Sequence, residues 1–138
     1  MTAPEYIASF ADLLRAARAQ AEPQQLLFVF ADARLPADAS PSQRAQFEAG
    51  EAGELAPLMC VDKSARELQS FDALAAEAAR AGPPWAIVFS AALSGRGGQP
   101  PSTADIDTAL QHMVEAIKAG HIDGVIPFDR NGEPVHLA

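Results

Sequence analysis

The chain has 138 residues, of which 49% are hydrophobic and 20% charged, and its 18 acidic and 10 basic side chains give a net charge of −8. That size and balance suit one compact globular domain and exclude a disordered chain. The acidic excess argues against a nucleic-acid partner, and no apolar run approaches the ~20 residues that cross a bilayer, so no membrane partner is expected.

The first residues, MTAPEYIAS, hold neither a basic segment nor an apolar signal core, which points away from export. Cys60 stands alone and can form no internal disulfide, as suits a reducing cytoplasm. Ser9 has the character of an N-cap, and Phe10, Leu13, Leu14 and Ala17 recur at helical spacing, so a first helix is predicted from Phe10 to Gln20. LLFVFA, Leu26 to Ala31, is apolar on both faces, the pattern of a central strand covered on both sides. After a polar stretch, Ser40 and Pro41 open a short second helix that EAGEAG closes.

LAPLMCVDK, Leu55 to Lys63, reads as the second strand, with Pro57 at its start or on an edge. Ser64 and Glu67 form a capping box for a third helix, whose stripe is Leu68, Phe71, Leu74, Ala75 and Ala78. Gly82, Pro83 and Pro84 stop it. WAIVFSAAL is the third strand. Ser102 and Asp105 cap a fourth helix with Ile106, Leu110, Met113, Val114 and Ile117 on its apolar face. DGVIPFD is the fourth strand, and Asn131-Gly132 is a strong hairpin signal returning the chain into PVHL as a fifth. Phe28, Phe30, Val61, Ile87, Phe89, Leu110 and Ile126 are the expected core.

Alternation of strands and helices predicts a single α/β domain over residues 1–138: a mixed, mostly parallel sheet of four to five strands, helices on both faces, and a C-terminal β-hairpin. LFVFADA in the first half resembles AIVFSAA in the second, each followed by a Pro-Ser pair and a helix ending in Ala-Gly, which suggests an internal αβαβ duplication. Alternating elements also produce such strings without common ancestry, so the sequence leaves both origins open.

Right-handed crossovers between parallel strands would bring all strand C-termini to one edge, where open α/β sheets bind ligands. There the sequence places Asp32 after the first strand, Asp62 and Lys63 after the second, Ser94, Gly95, Arg96, Gly97 and Gly98 after the third, and Asp129 after the fourth. These are the candidate ligand-binding residues. The glycines would let backbone amides approach an anion and Arg96 would add a cation, although SGRGG matches neither the dinucleotide fingerprint nor the phosphate-binding loop. The competing expectation is a flexible surface connection. Three carboxylates could also hold Mg²⁺. Cys60, in an apolar strand, is expected to be a buried thiol. His112, His121 and His136 lack ligand spacing, so no zinc site is expected.

Over nearly its whole length, most distinctively in CVDK and AALSGRGG, the chain resembles a family of small proteobacterial proteins commonly labelled "ribonucleotide reductase subunit alpha". The resemblance carries no catalytic residue with it. The large reductase subunit needs a radical-bearing cysteine, a redox pair and further C-terminal thiols, and this chain has one cysteine. The expected function is therefore a small cytoplasmic binding or regulatory module without catalytic residues or cofactor, its partner a protein, a small anionic ligand or a second copy in a homo-oligomer. The alternative is a small enzyme, or an anion- or Mg²⁺-dependent ligand-binding protein, that uses the strand-end loops.

Overall fold

The computed structural model describes residues 7–34, 38–48 and 54–136. Helices α1 (Phe10–Arg18), α2 (Pro41–Glu48), α3 (Phe71–Ala81) and α4 (Thr103–Lys118) each follow a serine. In every case the serine Oγ accepts a backbone N–H three residues on, at 3.1 Å: Ser9 from Asp12, Ser40 from Gln43, Ser70 from Ala73 and Ser102 from Asp105. At α2 the cap is reciprocal, since Gln43 Oε1 accepts the Ser40 N–H at 2.7 Å. The Ser64–Glu67 capping box expected for α3 is not its start. Ser64 still stands in the β-ladder opposite Gln25, its carbonyl accepts the Glu67 and Leu68 N–H groups in a single turn, and the helix begins after Ser70.

Four strands, β1 (Gln24–Arg34), β2 (Glu54–Ser64), β3 (Ile87–Ser94) and β4 (Ile126–Phe128), form one sheet in the order β2-β1-β3-β4. Every neighbouring pair is antiparallel, which corrects the mostly parallel sheet expected from the alternation of elements. The last residues of β1 lie beside the first of β2, Arg34 opposite Glu54, so the chain leaves and re-enters the sheet at the same end. The physical reason is that alternation of strands and helices fixes no strand direction, and a strand apolar on both faces suits either one. Reach along this connection does not exclude a parallel return; the ladder itself sets the direction, because Ala31, Asp32, Ala33 and Arg34 pair with Pro57, Ala56, Leu55 and Glu54. β2 and β3 are parallel to each other with β1 between them, and α3 makes that single crossover.

Side chains alternate across the sheet. Leu26, Phe28, Phe30, Val88 and Phe128 point to the face covered by α1 and α3, where Phe10, Leu13, Leu14, Leu74 and Ala78 meet them. Leu27, Val29, Ala31 and Phe89 point to the other face, under Met113 and Ile117 of α4. Of the expected core, Phe28, Phe30 and Phe89 are fully buried, while Val61, Ile87, Leu110 and Ile126 are half-buried against it. Trp85 precedes β3 and packs edge-on against Phe30, with ring centroids 4.9 Å apart.

The two halves have matching layouts: helix, strand, helix, strand, with β1 and β3 paired at the centre. Ser9, Phe10, Leu13 and Ala17 of α1 take the positions of Ser70, Phe71, Leu74 and Ala78 of α3, on the same face of the sheet. The strand strings that suggested a repeat do not correspond structurally. They align Phe30 with Phe89, and these two side chains lie on opposite faces.

The chain does turn back after β4, but the described residues form no fifth strand, and Leu137 of the expected PVHL lies outside them. Pro134 makes one bridge, to Phe128, and a proline there cannot extend a ladder. The turn has positive φ at Gly132 alone (φ +80°), and the Gly132 N–H donates to the Asp129 carbonyl at 3.1 Å. That is a three-residue hairpin loop ending in a left-handed glycine, not the two-residue type I′ turn that Asn-Gly suggests.

Candidate functional site

The antiparallel sheet divides the sequence-chosen residues between two ends. Asp62 and Lys63 lie just before Ser64 at the end of β2 and Ser94 finishes β3, so these stand at one end with Gly95, Arg96, Gly97 and Gly98. Asp32, near the end of β1, and Asp129, just after β4, stand at the opposite end. Asp32 Oδ1 accepts the Ala33 N–H at 3.0 Å. Asp129 Oδ1 accepts the N–H groups of Asn131 and Glu133 at 2.8 and 3.0 Å and so shapes its own turn. A single site containing all nine residues is not what this topology builds.

At the first end the glycine-rich stretch is a tight hairpin. Arg96 and Gln99 exchange both backbone hydrogen bonds at 2.9 Å, and Gly97 and Gly98 between them have φ of +58° and +80°. Positive φ at both central residues is the signature of a type I′ turn, for which two glycines are well suited. Gly95 is needed for a different reason: a Cβ there would sit 1.9 Å from the Gln99 carbonyl oxygen. The Gly97 and Gly98 N–H groups converge on one acceptor, the Glu22 carboxylate, at 3.0 and 2.7 Å. The loop does cradle an anion, and the anion belongs to this chain.

Glu22 opens a segment that ties the two strand ends together. The Pro23 carbonyl accepts from Gly95 at 2.7 Å. Gln24 Nε2 donates to Ser94 Oγ at 3.1 Å, and Gln25 Nε2 donates to Asp62 Oδ2 at 2.8 Å. Arg18 Nε donates to the Ala65 carbonyl at 2.8 Å and Arg18 Nη2 to that of Leu68, which pins the turn after β2. Lys63 Nζ pairs with Glu77 of α3 at 2.7 Å. Sequence reasoning missed Glu22, Gln24 and Gln25. The visible signal was a polar Gln-Gln pair directly before an apolar run.

Between the hairpin and the first half of α4 lies a cleft of about 530 Å³. Ser94, Gly95 and Arg96 form one wall. Asp105, Thr108 and His112, at helical spacing on one stripe of α4, form the other. Asp62 and Lys63 stand at this end of the sheet but not in the cleft lining. Arg96 is exposed and, among the described residues, pairs with no carboxylate.

Cys60 is not the buried thiol expected. It lies opposite Val29 on β2, an outer strand, and is exposed. Partial desolvation pushes its thiol above the ordinary value, which leaves less thiolate to act as a nucleophile. Among the described residues no three His, Cys, Asp or Glu side chains converge as a metal site would require, and no helix is long and apolar enough to cross a membrane. Compared with protein-family models, curated proteins and solved structures, the chain matches none.

Proposed function

We propose that the chain is a binding module without catalytic chemistry of its own, and that the cleft between the Gly95–Gln99 hairpin and α4 takes a small anion. The observation that carries this is the Glu22 clamp. With Gly97 and Gly98 engaged by Glu22, the hairpin is a braced wall, and it presents Arg96 to a cleft that also holds Ser94, Ser102, Thr108, His112 and one carboxylate, Asp105. Arg96 as the cation, with the Ser102 and Thr108 hydroxyls lining the same cleft, suits a carboxylate or phosphate oxygen, while the Ser94 hydroxyl already donates to the Gly95 carbonyl at 3.1 Å. Lys63, bonded to Glu77, and Asp62, bonded to Gln25, are structural ties of the same end and not ligands.

A cytoplasmic setting belongs to the same proposal, since a lone exposed cysteine suits a reducing compartment. Thermal denaturation with inorganic phosphate tests it. A ligand selective for the folded state raises the melting temperature, and Arg96→Ala should remove the rise without changing the unliganded transition. No rise with phosphate, sulfate or a dicarboxylate would overturn it.

A further inference from the structure

Ser90, at the centre of β3, is fully buried, and its Oγ has no hydrogen-bond partner among the described residues. Buried hydroxyls are ordinarily satisfied, and an alanine at this position would avoid the cost of orphaning one. Ser90 lies in a second cleft, of about 310 Å³, on the sheet face opposite α4. The cleft exists because β4 pairs with β3 only over Val88 to Ser90, while β3 runs on to Ser94. Ala16 and Ala17 of α1, with Ala92 and Gly124, are among the residues that line it, and such small residues leave room. Among the described residues none that lines it is charged, and Gln24 is one of its few polar members.

We propose that this cleft binds a small uncharged molecule with an apolar body and one hydroxyl or carbonyl group, which bonds to Ser90 Oγ. The apolar body matches the alanine walls, and a single polar group matches the single unpaired hydroxyl on the floor. A charged ligand is disfavoured by the cost of burying an ion where no described lining residue supplies a counter-charge. The α4 cleft differs on each count, so the two sites are tested separately and either proposal can fail alone.

The test is an NMR titration of the full chain with p-cresol, toluene and p-toluenesulfonate. p-Cresol should shift the amides of Ser90, Ala92 and Gly124 saturably. Ser90→Ala should weaken p-cresol by about fivefold, the worth of one hydrogen bond, and leave toluene unchanged. Ala92→Phe, at an exposed position, should fill the cleft and abolish p-cresol binding with the melting temperature retained. The proposal is overturned by any of three results: no saturable shift, p-toluenesulfonate binding as well as p-cresol, or p-cresol affinity unaffected by Ser90→Ala. If Ser90→Ala does not fold, Ala92→Phe decides: undiminished p-cresol binding in that variant is equally fatal.

Discussion

The carboxylate of Glu22 accepts two backbone N–H groups, from Gly97 at 3.0 Å and Gly98 at 2.7 Å, across 75 and 76 positions of sequence. One side chain before β1 thereby fixes the turn after β3. Glu22→Ala should leave both amides to solvent, lowering stability by about 1 kcal/mol. The sharper readout is hydrogen exchange: Gly97 and Gly98 should lose protection selectively, while amides of β1 keep theirs. Unchanged protection at both glycines would show that the clamp does not form in solution.

The hairpin glycines should not be equivalent. Gly95→Ala drives a Cβ into the Gln99 carbonyl and should cost about 3 kcal/mol, the upper range for a forced backbone shift. Gly97→Ala meets open space and bears only the strain of positive φ, about 1–2 kcal/mol. Urea denaturation of the two variants ranks them. Equal losses would argue against the close approach at Gly95.

Gly132 couples the C-terminal turn to the core. A Cβ there would lie 2.9 Å from the ring of Phe71, at a φ of +80°. Gly132→Ala should therefore lower the melting temperature, and Phe71→Leu, which thins the ring, should make the substitution less costly. Independent effects of the two changes would refute the contact.

Phe89 is completely buried under α4. Phe89→Ala should cost about 3–5 kcal/mol in chemical denaturation, as large cavities do. An equally stable variant would contradict its place in the core.

Asp12 supplies a pH signature. The Ala8 N–H, at 3.0 Å, and then Arg15, at 2.9 Å, hold its carboxyl below the ordinary value of 3.8. A depressed folded-state value stabilises the fold above the unfolded value and loses that effect as pH falls through the folded one. Asp12→Asn should thus be less stable than the parent at neutral pH, and the gap should narrow below pH 3.8. A gap that is constant with pH would show that the bonds contribute nothing through charge.

What the sequence discloses here is local. The serine caps at Ser9, Ser40 and Ser102 and the doubly apolar β1 follow from chemistry within a few residues, and the structure has them. Strand direction does not follow from pattern. A strand such as Leu26–Ala31, covered on both faces, looks the same in parallel and antiparallel sheets, and the stretch between Arg34 and Glu54 is long enough for either return. The stretch Ser94–Gly98 was visible as a glycine-rich connection, but not as a tight turn. Its acceptor was not, because nothing in the residues around Glu22 marks it as the partner of glycines so far along the chain.

The most direct measurement is a phosphate titration of isotopically labelled protein, followed by NMR in the parent and in Arg96→Ala. Anion binding in the α4 cleft predicts saturable shifts at Ser94, Arg96, Ser102 and His112, with Gly97 and Gly98 unmoved because Glu22 holds them, and no saturation in Arg96→Ala. Shifts centred on Gly97 and Gly98, or none that saturate, would contradict it.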